Sequence, residues 1–300
     1  MDLHLADEVR AAIECGMPVV ALESTVIAHG LPYPENIRTA MRCEAAIRGS
    51  GAVPATIALI GGEIRIGLSA AEIEALGSTD KARKISQKDL AIAAAMRLDA
   101  ATTVSGTAAL AHKAGIRVFA TGGIGGVHRG DGSDVSGDLP TLARTPITVV
   151  CSGAKVILDL PRTREWLETF GVAVLGWETD ELPAFYSRRS GLPVDQAVTS
   201  AAEVAAIAMA RDELGYEAAL LVGVPVPAEF ELPREEVEAV VSEAIAAANE
   251  EGVRGKALTP FLLSRMASVS EGRTLAANIA LLENNARVAG KIATAMSETA

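Results

Sequence analysis

The sequence predicts a three-layer α/β/α fold with a mixed central sheet. Three observations lead there. Short apolar runs of strand length alternate with helical-period segments along most of the chain, which calls for a largely parallel sheet covered by helices. One early pair of β-rich runs is joined by Gly61-Gly62, which reads as a hairpin and adds an antiparallel pairing. Of the 300 residues, 49% are hydrophobic but only 3% are aromatic, so a large core must be built from closely packed Ala, Val, Leu and Ile.

The elements follow in order. Residues 3–13 place Leu3, Leu5, Val9, Ala12 and Ile13 at helical spacing. Residues 18–22 (PVVAL) form a short buried strand that ends at Glu23. Residues 55–66 (ATIALIGGEIRI) are the hairpin. Ser69 with Glu72 makes a capping-box pattern, and Gly77 closes the short helix it opens. Further strands are expected at 116–121, 147–151, 172–175 and 218–224. Helices are expected at 87–97, 161–169, 201–213, 233–250 and 274–296, with Pro161 and Pro233 suited to first helical positions. No internal repeat, low-complexity tract or polar linker interrupts this pattern, so residues 1–300 read as one domain.

Lys and Arg number 27 against 38 Asp and Glu, a net charge of −11. Such a chain repels a nucleic-acid polymer, although one local basic pocket could still take a small phosphate ester. Cys15, Cys43 and Cys151 lack the spacing of a disulfide framework or a zinc site. The N-terminal residues have no signal-peptide pattern, and no run approaches the roughly 18 apolar residues of a membrane span. The expectation is a cytoplasmic protein.

Ligands of open α/β sheets gather beyond the carboxyl ends of the strands. Glu23, at the end of the PVVAL strand, is a carboxyl whose pKa burial would raise, which suits a general acid. Residues 102–107 (TTVSGT) and 121–126 (TGGIGG) read as small-residue loops whose backbone N–H groups could approach an anion. Asp131, Asp134 and Asp138 offer oxygen ligands within eight positions, a donor type that favours Mg²⁺ or Mn²⁺. Lys155 lies just past an apolar strand and inside a second apolar run. An amine desolvated there becomes a nucleophile able to form an imine with a sugar aldehyde. Lys84 is a candidate phosphate-binding charge, and Asn278 could present its amide to a base or sugar. Asn284 and Asn285 read as a surface or cap pair, and Trp177, Phe185 and Tyr186 as core or pocket lining. Each has a plain alternative: a capping Glu23, a solvated acidic loop, or a Lys155 that snorkels or pairs with Asp159.

Taken together, ALESTVIAHGLPYPEN, PATIALIGGEIRIGL, ARKISQKDLA, TTVSGTAALAHKAGIRVFATGGIGGVHRG, DVSGDLPTLARTP, CSGAKVILDLPRTREWLET and NIALLENNA resemble the pseudouridine-5′-phosphate glycosidase family, which includes the indigoidine-cluster A proteins. The resemblance implies an indigoidine synthase A-like α/β/α fold, a homotrimer and a Mn²⁺ ion, with Mg²⁺ able to replace it. It implies reversible conversion of pseudouridine 5′-phosphate and water to uracil and ribose 5-phosphate. By this similarity Lys155 is the nucleophile, Glu23 the proton donor and Asp134 a metal ligand. Lys84, Val104, Ser136, Gly137 and Asp138 match substrate-contacting positions, and Thr121, His128 and Asn278 are further pocket members. Three positions depart from the family pattern: Gly137 where Ala is usual, Val224 where Asn is expected, and Ala197 near which an arginine is expected. Two other readings stay open. One is a Schiff-base lyase or a glycosidase acting on another phosphorylated nucleoside; the other is a sugar-phosphate binder without catalysis.

Overall fold

A computed structural model describes residues 2–130, 132–253 and 258–298. The strands among them are β1 (Leu3–Leu5), β2 (Val19–Glu23), β3 (Val53–Ile60), β4 (Glu63–Ile66), β5 (Arg83–Ile85), β6 (Ala100–Thr102), β7 (Val118–Ala120), β8 (Val127–His128), β9 (Thr148–Cys151), β10 (Leu158–Asp159), β11 (Ala173–Trp177), β12 (Gln196–Val198) and β13 (Leu220–Gly223). Eleven of them form one sheet in the order β1-β4-β3-β2-β7-β9-β13-β11-β12, with β6 and β5 branching from β3. From β3 to β12 every neighbouring pair is parallel. The β3–β4 hairpin and the β3–β6 pair are antiparallel, so the sheet is mixed as expected.

Every residue of β2, β7, β9 and β13 is buried. A strand without a solvent-facing side needs cover on both faces, which is what a parallel sheet between two helical layers provides. The helix Arg273–Glu298 lies across β2, β7 and β9 and packs on the helices Glu35–Arg48 and Ala201–Glu213. The helix Val104–Lys113 packs on β2, β3 and β7.

Several elements differ from the sequence reading. Leu3–Leu5 is a strand, not the first turn of a helix; it pairs in parallel with β4, and the helix begins at Asp7. The Leu-His-Leu alternation fits a two-residue period as well as a helical one, and the open edge of β4 decides between them. The capping box of Ser69 and Glu72 is present. Gly77, however, is the last helical residue, without positive φ; a side chain there would stand 2.8 Å from Ile37 Cγ1. Close helix packing, not a left-handed cap, explains that glycine. The segment 87–97 starts as a 3₁₀ turn, Gln87–Asp89, before the helix Leu90–Ala95. Helices at Glu35–Arg48 and Leu258–Val269 were not foreseen.

Candidate active site

A cavity of about 600 Å³ opens at the carboxyl ends of the strands, lined by Glu23, Lys84, Ser105, His128, Asp134, Asp138 and Lys155 among others. A smaller lobe, lined by Glu23, Lys155, His29, Gly122, Phe185, Asn278 and Leu282, continues from it. Glu23, Thr25, Lys84 and Lys155 border both.

Glu23 is the last residue of β2 and only 8% exposed. The corner after it is fixed by hydroxyls: Ser24 Oγ donates to the Ile57 carbonyl at 2.6 Å and Thr25 Oγ1 to the Thr102 carbonyl at 2.8 Å. Behind the carboxyl lies a space of about 20 Å³ walled by Leu22, Ala40, Cys43 and Leu282. Burial pushes the Glu23 carboxyl above the usual carboxylate range. The charge of Lys155 is the largest opposing influence, followed by a hydrogen bond donated by Thr121 Oγ1.

Lys155 follows β9 by four residues. Its N–H donates to the Ile124 carbonyl at 3.0 Å, and its own carbonyl accepts from Leu158 N–H at 3.0 Å. Gly153 permits this turn: φ is +84°, and a Cβ would lie 2.0 Å from the Pro183 carbonyl oxygen. Just past the lysine, β10 pairs antiparallel with β8, setting Leu158 opposite His128. That two-stranded clip ties the lysine turn to the loop carrying His128 and Asp134. His128 N–H in turn donates to the Asp134 carbonyl at 2.9 Å.

The two small-residue segments do something not foreseen. Residues 104–107 are the first turn of a helix instead of a loop, with Thr103 just before it. Ser105 N–H from that turn donates to Asp138 Oδ1 at 2.9 Å, and Gly125 N–H from the second segment donates to Asp138 Oδ2 at 2.8 Å. The anion held by these two backbone groups is the protein's own buried carboxylate. Gly125 must lack a side chain, because a Cβ would sit 2.1 Å from Ser136 Oγ.

Lys84, His128, Asp134, Ser136, Gly137 and Asp138 meet Glu23 and Lys155 on the main cavity, and Asn278 meets them on the smaller lobe. Val104 is fully buried between Thr103 and Ser105, which do line the cavity. Thr121 touches neither lobe and acts through Glu23. Asn285 is not a surface residue: it is fully buried, and its amide donates to the Thr121 carbonyl at 2.9 Å. Phe185 is buried core and pocket wall at once, and Tyr186 is core. Sequence reasoning passed over His29, Thr25, Lys88 and Arg144. The last two add positive charge to the main cavity and were legible only as surface residues.

Among the described residues no three His, Cys, Asp or Glu side chains converge to hold a metal ion. Asp131 lies outside the described residues. Both oxygens of Asp138 accept backbone N–H groups, and Asp134 presents an exposed carboxylate on the same cavity. One carboxylate beside a roomy polar cavity fits a hard divalent ion that keeps most of its ligands as water and substrate oxygen.

Residues 8–295 match the family described as indigoidine synthase A like protein. The chain belongs to the indigoidine synthase A-like family. A pseudouridine-5′-phosphate glycosidase of Caldanaerobacter subterraneus subsp. tengcongensis is 52% identical over 298 residues, covering 99% of this chain and 97% of that protein. One from Staphylococcus aureus is 46% identical over 298 residues, covering 99% and 97%. The crystal structure of the prealnumycin C-glycosynthase AlnA in complex with ribulose 5-phosphate superposes with a TM-score of 0.91 at 40% identity, covering 99% of this chain and 97% of that one. An indigoidine synthase A-like protein of Thermotoga maritima gives 0.91 at 39% identity, covering 98% and 96%.

The three positions that depart from the expected pattern have different settings. Gly137 has φ of −61°, and an added Cβ would meet nothing within 4 Å. Val224 is buried and borders a separate cavity of about 270 Å³ with Trp177, Arg188 and Arg287. Ala197 sits exposed on β12, opposite Gly176.

Proposed function

We propose that this chain makes and breaks the C–C glycosidic bond of pseudouridine 5′-phosphate, interconverting it and water with uracil and ribose 5-phosphate. The observation that carries the reading is the meeting of Glu23, whose pKa burial raises, and Lys155 on one cavity that reaches from the main chamber into a smaller lobe of about 50 Å³. The names of the relatives, and the ribulose 5-phosphate of the C-glycosynthase, support a pentose phosphate as the sugar half.

A carbon leaving group offers no glycosidic oxygen to protonate, so paired-carboxylate hydrolysis is poorly suited. The Lys155 amine instead bonds to C1′ as the ring oxygen leaves with a proton. The nitrogen lone pair then forms the C1′=N bond while the C1′–C5 bond breaks, and Glu23 delivers its proton to C5 of the departing uracil. Water hydrolyses the imine to ribose 5-phosphate and frees the lysine. Lys84, Lys88 and Arg144 supply charge for the phosphate, and Asn278 presents its amide in the base lobe. His128 walls the main chamber, and Ser136, Gly137 and Asp138 shape the turn beneath the sugar. Asp134 would hold the divalent ion, Mn²⁺ or Mg²⁺, which when bound contributes positive charge that orients substrate oxygens. The assembly we propose is a homotrimer, checked by light scattering on the eluting protein. No helix among the described residues is long and apolar enough to cross a membrane.

The test is mass spectrometry after ribose 5-phosphate, Mn²⁺ and borohydride, with nucleoside synthesis from uracil followed in parallel. A reduced sugar-phosphate adduct on Lys155 together with pseudouridine 5′-phosphate is the expected result. An adduct without the nucleoside would retain imine chemistry and move the substrate elsewhere. Neither product would leave a non-catalytic binder.

A further inference from the structure

Strands β7 and β9 pair as far as Ala120 and Val150. Two backbone bonds carry the pairing a step further: Thr121 N–H donates to the Val150 carbonyl at 3.0 Å, and Ser152 N–H to the Gly122 carbonyl at 2.9 Å. The first strand end leads to Thr121, whose hydroxyl donates to Glu23. The second leads through Ser152 and Gly153 to Lys155. The acid and the amine therefore take their relative placement from two adjacent strand ends.

Asn285, on the helix Arg273–Glu298, is fully buried and touches both ends. Its Nδ2 donates to the Thr121 carbonyl at 2.9 Å and to the Gly122 carbonyl at 3.4 Å. The Ser152 hydroxyl, also fully buried, donates to Oδ1 at 3.2 Å and accepts from Nδ2 at 3.1 Å. Ser152 is held from its far side too, where its carbonyl accepts from Phe185 N–H at 3.0 Å. Gly122 lets the helix approach this closely, since an added Cβ would stand 3.2 Å from Leu282 Cδ2 and 3.3 Å from Leu281 Cδ1. Leu281, Leu282, Ala286 and Ala289 around Asn285 on the helix are buried and apolar. An amide among them costs stability unless every group is paired, and a paired buried network fixes geometry in a way that apolar packing does not.

We infer that Asn285 is a positioning residue for the reaction: its amide joins the strand end that supports Glu23 to the strand end that carries Lys155, and so sets how the two groups face each other across the cavity. The inference rests on the reading above and adds to it a residue that touches no substrate. Its effect is sensitive to small displacements, because a misplacement of about 1 Å can cost on the order of 10²-fold in rate.

Asn285→Ala frees both strand ends, and Ser152→Ala frees only the lysine side. Both are compared with wild type per folded protein, with the melting temperature recorded for each. Asn285→Ala should lower kcat for cleavage of pseudouridine 5′-phosphate by about 10- to 100-fold with KM near wild type, the pattern of lost placement at the reacting groups. It should also slow formation of the borohydride-trapped adduct with ribose 5-phosphate. The basic limb of its kcat profile should move to higher pH, because a loosened Thr121 donates less well to Glu23. The charges of Lys155, Asp138 and Lys84 also act on Glu23, and neither substitution replaces them. Ser152→Ala should slow adduct formation and leave the basic limb in place. Variants that melt lower yet keep the wild-type kcat, trapping rate and pH limb would make Asn285 a packing residue and overturn the inference. Should Asn285→Ala fail to fold, an unchanged trapping rate in Ser152→Ala overturns it alone. A wild type that traps ribose 5-phosphate yet makes no nucleoside overturns the broader reading instead, and the trapping rates still decide the role of Asn285 towards the lysine. A wild type that does neither overturns both.

Discussion

The Thr121 hydroxyl donates to Glu23 Oε1, a bond that the parallel register of β2 and β7 creates by setting Leu22 opposite Ala120 and the two polar residues one step further on. It is a donor that favours the charged form of a carboxyl whose pKa burial raises, so Thr121 restrains how far the proton affinity rises. Thr121→Val removes the donor at nearly constant volume. The Glu23 pKa should rise further, and the basic limb of the kcat profile for cleavage, where the acid loses its proton, should move to higher pH. A limb that stays in place or moves down would separate Thr121 from the proton chemistry.

Glu23→Gln couples stability to the same carboxyl. The folded protein holds this proton to higher pH than the unfolded chain does. The stability so lent is complete below the ordinary Glu pKa of about 4.3 and is lost as pH rises through the raised folded value. Glu23→Gln should therefore melt above wild type at pH 7–8, with the gap closing as pH falls towards 4. Turnover should drop by about 10²- to 10⁴-fold, the scale of a lost general acid. A melting difference independent of pH would contradict the raised pKa.

Lys155→Ala should abolish turnover and the borohydride-trapped adduct while leaving the thermal transition close to wild type, since the turn is held by backbone bonds and by Gly153 and not by the amine. Loss of the cation should also drive Glu23 further towards its protonated form. Near-normal turnover in this variant would reject the imine route.

The layers, the hairpin and the candidate acid and lysine were legible in the sequence because periodicity and position after apolar runs are local properties. The edge strand Leu3–Leu5 was not, since its state is decided by an open edge some sixty residues away. Asn285 was misjudged for the same reason: only the packing of the last helix against Thr121 and Gly122 shows that its amide is buried. The pairing of both small-residue segments with Asp138 was equally hidden, because glycines in a sequence do not reveal which anion their N–H groups meet.

Asp134 and Asp138 lie on one cavity but should respond to metal in opposite ways. Asp134 is exposed, and its side chain is the anion available to a divalent ion. Asp134→Ala should keep the melting temperature and demand far higher Mn²⁺ for activity, with excess metal restoring much of the rate. An unchanged metal requirement would remove Asp134 as a ligand.

Asp138→Asn tests the opposite role. Both carboxylate oxygens accept backbone N–H groups, from Ser105 at 2.9 Å and Gly125 at 2.8 Å, in a residue only 5% exposed. Asparagine keeps one acceptor and must turn its NH₂ against the other N–H, so one charge-assisted bond is replaced by two opposed donors. The expected loss is about 2–3 kcal/mol, from the size of hydrogen bonds to charged groups. In a protein of this size that lowers the melting temperature by roughly 4–10 °C. Activity should fall with the displaced Gly125 turn, and excess Mn²⁺ should not restore it, because this carboxylate positions two backbone N–H groups. Metal rescue of Asp138→Asn, measured under the conditions that rescue Asp134→Ala, would instead make Asp138 a ligand.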